Sequence, residues 1–165
     1  MIRKAKFNEE KTHRYFLKRD WRANLGSTKS KGWATFIMLN PSIADNLTDD
    51  KTVTKCVDYC KTWGYGALSI INLCSEVSTK AKPIVEKIKA NDYQNFKNTQ
   101  QIENILSDKF NNDVYLAWGY GIDIPDWLKK LLVDKNVYVL QFSKKKTPKH
   151  PLYLPMNIKP KLIHV

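Results

Sequence analysis

The sequence has few cysteines, no long apolar run and a shortage of acidic residues, and each absence excludes a class of protein. The three cysteines, Cys56, Cys60 and Cys74, are too few for a disulfide framework and favour a reducing compartment. No apolar run approaches the roughly 20 residues that cross a bilayer, and no apolar core of a signal peptide follows the charged start. We therefore expect a cytoplasmic protein with no membrane partner.

The shortage of acidic residues gives the chain a strong positive charge. Its 28 lysine and arginine residues outnumber its 16 aspartate and glutamate residues, for a formal net charge of +12. Such a surface attracts polyanions, because the neutralisation of phosphates releases counterions. Alternatively, the excess lysine only keeps the surface solvated. We expect a nucleic acid or a small nucleotide as the partner, whereas the composition carries no information on oligomeric state.

Short apolar runs alternate with helical patterns along the chain and predict a single α/β domain over residues 1–165. Right-handed crossovers between such strands predict a parallel sheet with helices on both faces, a three-layer α/β/α arrangement. Residues 11–21 alternate loosely and predict an N-terminal antiparallel edge strand beside the first core strand. The four core strands are expected at 34–39, 67–73, 113–117 and 137–142, and helices at 52–62, within 75–90, at 93–110 and at 125–132.

A polar loop follows the first core strand. Asn40, Pro41 and Ser42 end the strand, and Asp45, Asp49 and Asp50 lie in the loop before the helix. In open α/β sheets, ligands bind where a buried strand ends in such a loop. Alternatively, these residues only form a turn and cap the helix.

The carboxyl ends of the other core strands carry polar residues as well. Asn40, Asn72 and His150 are expected to meet at one edge of the sheet, because parallel strands end on the same side. A carboxamide presents a donor and an acceptor together, which suits the edge of a nucleobase. Taken singly, Asn72 could satisfy a strand-end backbone group, Trp118 could belong to the core and His150 could form a turn. The expected partners in base stacking or close approach are Tyr65, Trp118, Gly119, Tyr120 and Tyr153.

These motifs carry a resemblance to known proteins. The patterns F-I-M-L-N-P-S-x-A-D-x-x-x-D-D, W-G-Y-G, N-L, A-W-G and H-P-L-Y-L-P resemble the DUF1643 family along nearly the whole chain. That family name implies no activity. More distantly, the order of the motifs is similar to the uracil-DNA glycosylase superfamily, whose catalytic loop follows the first core strand as G-x-[DN]-P. Met38 stands where that superfamily has the glycine, and its members lack the three aspartates of this loop.

The glycosylase resemblance implies a fold and a role for each matched motif. It implies a central four-stranded parallel sheet of order 2-1-3-4. Asn40-Pro41 matches the water-positioning residue and its proline, and Asn72 matches the base-reading amide. Trp118-Gly119 matches the third-strand element, and His150-Pro151 matches the loop that enters the minor groove and stabilises the departing base.

These observations predict a DNA glycosylase-like enzyme that acts on a modified or damaged base and needs no cofactor. Asn40, or Asp45 or Asp49 as a base, would position the water, and His150 would donate to the base oxygen. Pro41, Ser42 and Asp50 would complete the substrate pocket, and flanking phosphates would bind Lys144, Lys145, Lys146 and Lys149.

Two other functions fit the same residues. A non-catalytic protein could sequester a small nucleotide in this pocket, and a metal-dependent hydrolase could use Asp45, Asp49 and Asp50. A zinc deaminase is disfavoured, because the H-x-E and P-C-x-x-C motifs are missing from the sequence.

Overall fold

The structure, a computed structural model, describes residues 1–26, 29–111 and 113–165. Short 3-10 helices lie at Arg22–Asn24 and Pro151–Tyr153. The strands of these residues are β1 (Ile2–Phe7), β2 (Arg14–Asp20), β3 (Trp33–Met38), β4 (Ala67–Asn72), β5 (Asp113–Leu116), β6 (Asn136–Val139) and β7 (Lys161–Ile163), and the helices are α1 (Lys51–Thr62), α2 (Ala81–Lys89), α3 (Phe96–Leu106) and α4 (Asp126–Leu132).

The described strands form one mixed sheet of seven strands in the order β1-β2-β4-β3-β5-β6-β7. The four central strands β4, β3, β5 and β6 are parallel. They are the second, first, third and fourth strands of the predicted core, so the predicted order holds for the parallel part. The sheet as a whole is wider than predicted, since β1, β2 and β7 pair antiparallel at its two sides.

The N-terminal strand was predicted in the wrong place. Strand β2 pairs with β4, not with β3, and β1 lies outside it, so β2 is not an edge strand. The physical reason is that β3 already has a parallel neighbour on each side and offers no free edge. The apolar patterns of the sequence do not predict β1, because three of its six residues are basic.

Alternate residues of the central strands point to opposite faces of the sheet, which gives the three layers. Phe36 and Tyr115 pack on one face, which α1 covers. Ile37 and Leu116 pack on the other face, which α2, α3 and α4 cover. The α1 residues Val53, Cys56, Val57 and Cys60 are all buried, as their helical spacing predicts.

The described cysteines are free and buried within this core. Burial raises the pKa of the Cys56 and Cys60 thiols well above the ordinary value, so both remain protonated. None of the helices in the described parts of the chain combines the length and the apolar character needed to cross a membrane.

Candidate functional site

A cavity of about 130 Å³ lies at the carboxyl ends of β3 and β4. It brings together three predicted residues, Asn40, Asn72 and His150, that are far apart in the sequence. The cavity is lined by Arg14, Met38, Leu39, Asn40, Ser42, Asp50, Thr52, Val53, Ile70, Asn72, Ser78, Thr79, Ala81, Tyr120 and His150.

Asn72 presents a buried amide to this cavity. It is the last residue of β4 and only 1% exposed, yet neither Oδ1 nor Nδ2 has a hydrogen-bond partner in the described residues. Its backbone carbonyl is satisfied instead by Asn98, whose Nδ2 donates to it at 3.0 Å. A buried polar group without a partner costs about 1–3 kcal/mol, so unsatisfied atoms of this kind indicate a ligand or an ordered water.

Asn40 connects the loops that follow β3 and β4. Its Nδ2 donates to the backbone oxygens of Pro41 and Ser78, both at 2.9 Å. The loop after β4 is thereby fastened to the loop after β3, and Ser78 and Thr79 reach the cavity wall. Because the nitrogen is engaged, Oδ1 is the Asn40 side-chain atom left to accept a hydrogen bond from a ligand.

His150 offers a donor to the cavity. Its Nδ1 accepts a hydrogen bond from the Leu152 backbone N–H at 3.3 Å, which places the proton of the neutral ring on Nε2. Burial lowers the pKa of His150 below its ordinary value, and the Asp50 carboxylate only partly opposes this effect. The ring is therefore neutral near pH 7 and donates through Nε2–H.

Helix α1 holds the His150 loop in place. The Nζ of Lys55 donates to the backbone oxygen of Leu152 at 2.8 Å and also to that of Leu154. The Tyr59 hydroxyl donates to the oxygens of Leu154 and Pro155 at 3.1 and 3.0 Å. Gly119 also approaches His150 so closely that a Cβ on it would lie 3.3 Å from the His150 Cβ.

Of the three predicted aspartates, Asp50 alone lines the cavity. Its Oδ1 caps α1 by accepting from the Val53 N–H at 2.8 Å, which leaves Oδ2 outside the cap. Asp45 accepts from the backbone of Thr48 and Leu47, and these bonds lower its pKa.

Asp49 binds two arginines rather than the cavity. Its carboxylate pairs with Arg3 at 2.7 Å and with Arg19 at 2.6 Å. The structure therefore gives Asp45 and Asp49 roles in a turn and an ion pair. The sequence spacing could not separate these roles from that of Asp50.

The aromatic residues divide between the cavity and other places. Tyr120 lines the cavity and is 56% exposed, and the Tyr153 ring lies 6.2 Å from the His150 ring. Trp118 is fully buried in the core, where its Nε1 donates to the Ile122 oxygen at 2.8 Å. Tyr65 lies at the opposite end of the sheet, because it precedes β4, and its hydroxyl bonds Asp113 and Tyr115. Stacking by Trp118 or Tyr65 in the cavity was therefore a wrong prediction.

The predicted phosphate-binding lysines form an exposed turn, which we call the lysine turn (residues 143–149). Lys144, Lys145 and Lys146 are all exposed in it, and Lys149 donates to the Gln141 Oε1 at 3.2 Å. The turn borders a surface depression of about 450 Å³ that shares Tyr120 and His150 with the cavity. The basic residues thus lie beside the cavity and not within it.

Arg14 is a cavity residue that the sequence does not reveal. It begins β2, is 3% exposed and donates through Nη1 to the Ala44 oxygen at 2.6 Å. Burial lowers the pKa of Arg14 to about 10, so it remains charged near pH 7. In the sequence it alternates with Tyr15 and Leu17 and resembles a residue on the solvated face of a strand, and no local signal marks it as buried.

No group of three or more His, Cys, Asp or Glu side chains within residues 1–26, 29–111 and 113–165 is arranged to hold a metal ion.

A model of the family described as "Protein of unknown function (DUF1643)" matches residues 14–152.

The chain belongs to the DUF1643 family. The matched span includes every residue that lines the cavity of this DUF1643 protein. No curated protein and no solved structure matches it significantly. The likeness to uracil-DNA glycosylases receives no support from these comparisons.

Proposed function

We propose that this protein binds a single-ring nucleobase in the cavity and hydrolyses its N-glycosidic bond, as a DNA glycosylase-like enzyme for a modified or damaged base. The observation that carries the proposal is the unpaired, buried amide of Asn72. The volume of about 130 Å³ agrees with a single ring, since a cavity of about 150 Å³ accommodates benzene.

The arrangement of donors and acceptors supports recognition of a base edge. The Asn72 amide can accept from a ring N–H and donate to a ring carbonyl at the same time. A base in duplex DNA would have to leave the stack to reach this cavity. The lysine turn and the exposed rings of Tyr120 and Tyr153 lie at its border, where phosphates and neighbouring bases would bind.

The proposed chemistry uses two acceptors and one donor. The Asp50 carboxylate and the Asn40 Oδ1 would hold a water, whose oxygen attacks C1′ as the bond from C1′ to the base nitrogen breaks. The proton of the water passes to Asp50. The electron pair of the broken bond leaves with the base, and the His150 Nε2–H would stabilise the charge that develops on the base oxygen. Asp50 thus replaces Asp45 and Asp49 in the predicted role.

The test is the release of a base from DNA. Single-stranded and duplex DNA carrying uracil or hypermodified pyrimidines would be incubated with the protein, and abasic sites detected by alkaline cleavage. We expect Asp50→Asn to abolish the reaction without unfolding the protein, because asparagine also caps helices. Asp58→Asn, an exposed acid of the same helix, is the matched control and should retain activity. No product from any of these substrates with the unmodified protein would contradict the proposal.

A non-catalytic nucleotide-binding protein is the second candidate, because the buried charge of Arg14 favours an anionic small molecule. Such a protein would bind a nucleotide and release it unchanged after denaturation. Ligand at about 100 times its Kd would stabilise the fold by about 2.7 kcal/mol, which a thermal-shift experiment detects.

A further inference from the structure

Strand β2 carries two buried arginines, Arg14 and Arg19, and they differ in their partners. Arg19 is fully buried and fully paired: Nε and Nη2 bind the Asp49 carboxylate, and Nη1 donates to the Lys18 oxygen at 2.8 Å. Arg14 has one strong bond, to the Ala44 oxygen, and its buried Nε has no partner in the described residues. Arg19 therefore serves the fold, whereas Arg14 carries a charge that the fold does not neutralise.

No acidic group in the described part of the chain forms an ion pair with Arg14. The charged groups that act on it are Asp50 and Asp45, which attract it, and Arg19, which repels it, and none of the three forms a salt bridge with it. A buried charge without a close partner is costly, so its retention beside a cavity indicates an external anion.

The cavity wall has other donors besides Arg14. Thr79 and Ala81 contribute to the wall, and Ala81 is the first residue of α2. No side chain caps this helix, and its first turn has no acidic residue, so the positive end of the helix dipole faces the cavity uncompensated. The unpaired Nδ2 of Asn72 is a further buried donor of the same cavity.

We propose that Arg14 makes the cavity selective for a ligand that carries an anionic group, a carboxylate or phosphate bound by the guanidinium and the uncapped end of α2. This inference rests on the proposed binding of a single ring. The anion has two sources: a carboxylate on the ring of a modified base, or the phosphate of a free nucleotide.

Pairs of probes that differ by one charge test the inference. Uracil-5-carboxylate and uracil-6-carboxylate would be compared with their carboxamides, and uridine 5′-monophosphate with uridine, by calorimetric titration of the full chain. We expect the anionic member of a pair to bind about 10- to 100-fold more tightly, as charge-assisted hydrogen bonds do. In Arg14→Gln this preference should disappear, and in Arg14→Lys part of it should remain.

Two controls separate binding from folding. Arg22→Gln removes an exposed arginine that pairs with Asp20, and it should leave the preference unchanged. Thermal unfolding of each variant shows whether it folds. We expect Arg14→Gln to fold, since it removes an unpaired charge, whereas Arg19→Gln should unfold at a clearly lower temperature because it removes the buried partner of Asp49. If Arg14→Gln does not fold, the test uses Arg14→Lys instead. A weaker preference for the anionic probe in Arg14→Lys than in the unmodified protein would support the inference, and an unchanged preference would overturn it.

Each outcome decides the inference. A preference for the ring carboxylate that depends on Arg14 places the anion on the base, and a preference confined to the nucleotide places it on the phosphate. No charge preference in any pair, a preference that survives Arg14→Gln, or no binding by any probe would overturn the inference. A failure to form abasic sites, with an Arg14-dependent preference intact, would reject the glycosylase reaction alone.

Discussion

At the scale of single residues, Asn72 and Asn98 show how the same side chain can serve a ligand or the fold. Both are almost fully buried, but the Asn98 amide bonds the backbone oxygens of Asn72 and Leu73, whereas the Asn72 amide bonds nothing in the described chain. We expect Asn72→Leu to unfold at the same temperature or higher and to lose binding of uracil. Asn98→Leu should lower the free energy of unfolding by about 1–3 kcal/mol.

Thermal unfolding and calorimetric titration of the two variants check this prediction. If Asn72→Leu is destabilised as much as Asn98→Leu, the Asn72 amide has a structural partner and is not reserved for a ligand.

His150 makes the stability of the fold depend on pH. Burial lowers the pKa of His150 in the folded state, so the unfolded chain takes up a proton at a higher pH than the folded chain does. The free energy of unfolding should therefore fall as the pH drops from the ordinary histidine pKa of about 6.5 through the lowered value. Melting temperatures measured between about pH 7 and about pH 5 should decline less in His150→Gln than in the unmodified protein. Parallel declines in both proteins would contradict the assigned burial.

At the scale of elements, the turn after β5 holds His150 by close contact. Gly119 has φ +74°, in the left-handed region, and a Cβ there would meet His150 at 3.3 Å. Gly26 has φ +58° and nothing within 4 Å of such a Cβ. Gly119→Ala and Gly26→Ala should each lose about 1–2 kcal/mol through backbone strain, but only Gly119→Ala should weaken uracil binding.

Unfolding and uracil-binding measurements on Gly119→Ala and Gly26→Ala distinguish the effect of backbone strain from the effect of moving the His150 ring. Equal binding by both alanine variants would show that His150 does not depend on the Gly119 contact.

The elements that the sequence predicts well are those with local signals. The spacing of Val53, Cys56, Val57 and Cys60 defines the buried face of α1, and an apolar run defines β3. Strands β1 and β7 lack such signals, because half of the residues of β1 are basic and show no alternation with apolar residues, and β7 has only three residues. The pairing of β2 with β4 depends on which edge is free, and that is a property of the assembled sheet.

At the scale of the whole molecule, the same distinction applies to the site. Parallel strands end on one side, so Asn40 and Asn72 meet wherever such a sheet forms. Arg14 reaches the cavity from an antiparallel strand, so its position does not follow from local sequence. Tyr65 precedes the predicted strand at 67–73, so its place at the opposite end of the sheet does follow from the sequence. Asp50 lines the cavity and Asp49 does not, because Asp49 pairs with Arg3 and Arg19, which are distant in the chain.

The charge of the molecule should determine how its binding to DNA varies with salt. Each lysine that contacts a phosphate adds about 0.9 to the slope of log K against log salt concentration. Replacing Lys144, Lys145 and Lys146 by alanine should therefore reduce the slope by about 2 to 3. The matched control replaces Lys29, Lys31 and Lys61, which lie at the opposite end of the sheet near Tyr65 or Gly64.

Fluorescence anisotropy of labelled duplex DNA at several salt concentrations measures both slopes. An equal loss of slope in the two triple variants would show that DNA phosphates bind the positive surface without preference for the lysine turn.

The two ends of the chain form the two sides of the sheet. Strand β1 closes one side and carries Lys4 and Lys6 toward solvent, and the short strand β7 closes the other with Lys161. Border strands that carry lysine discourage a second copy from extending the ladder of backbone hydrogen bonds. A truncation that removes β1 or β7 would expose the backbone edge of the longer strand behind it, and we expect such a truncation to promote aggregation.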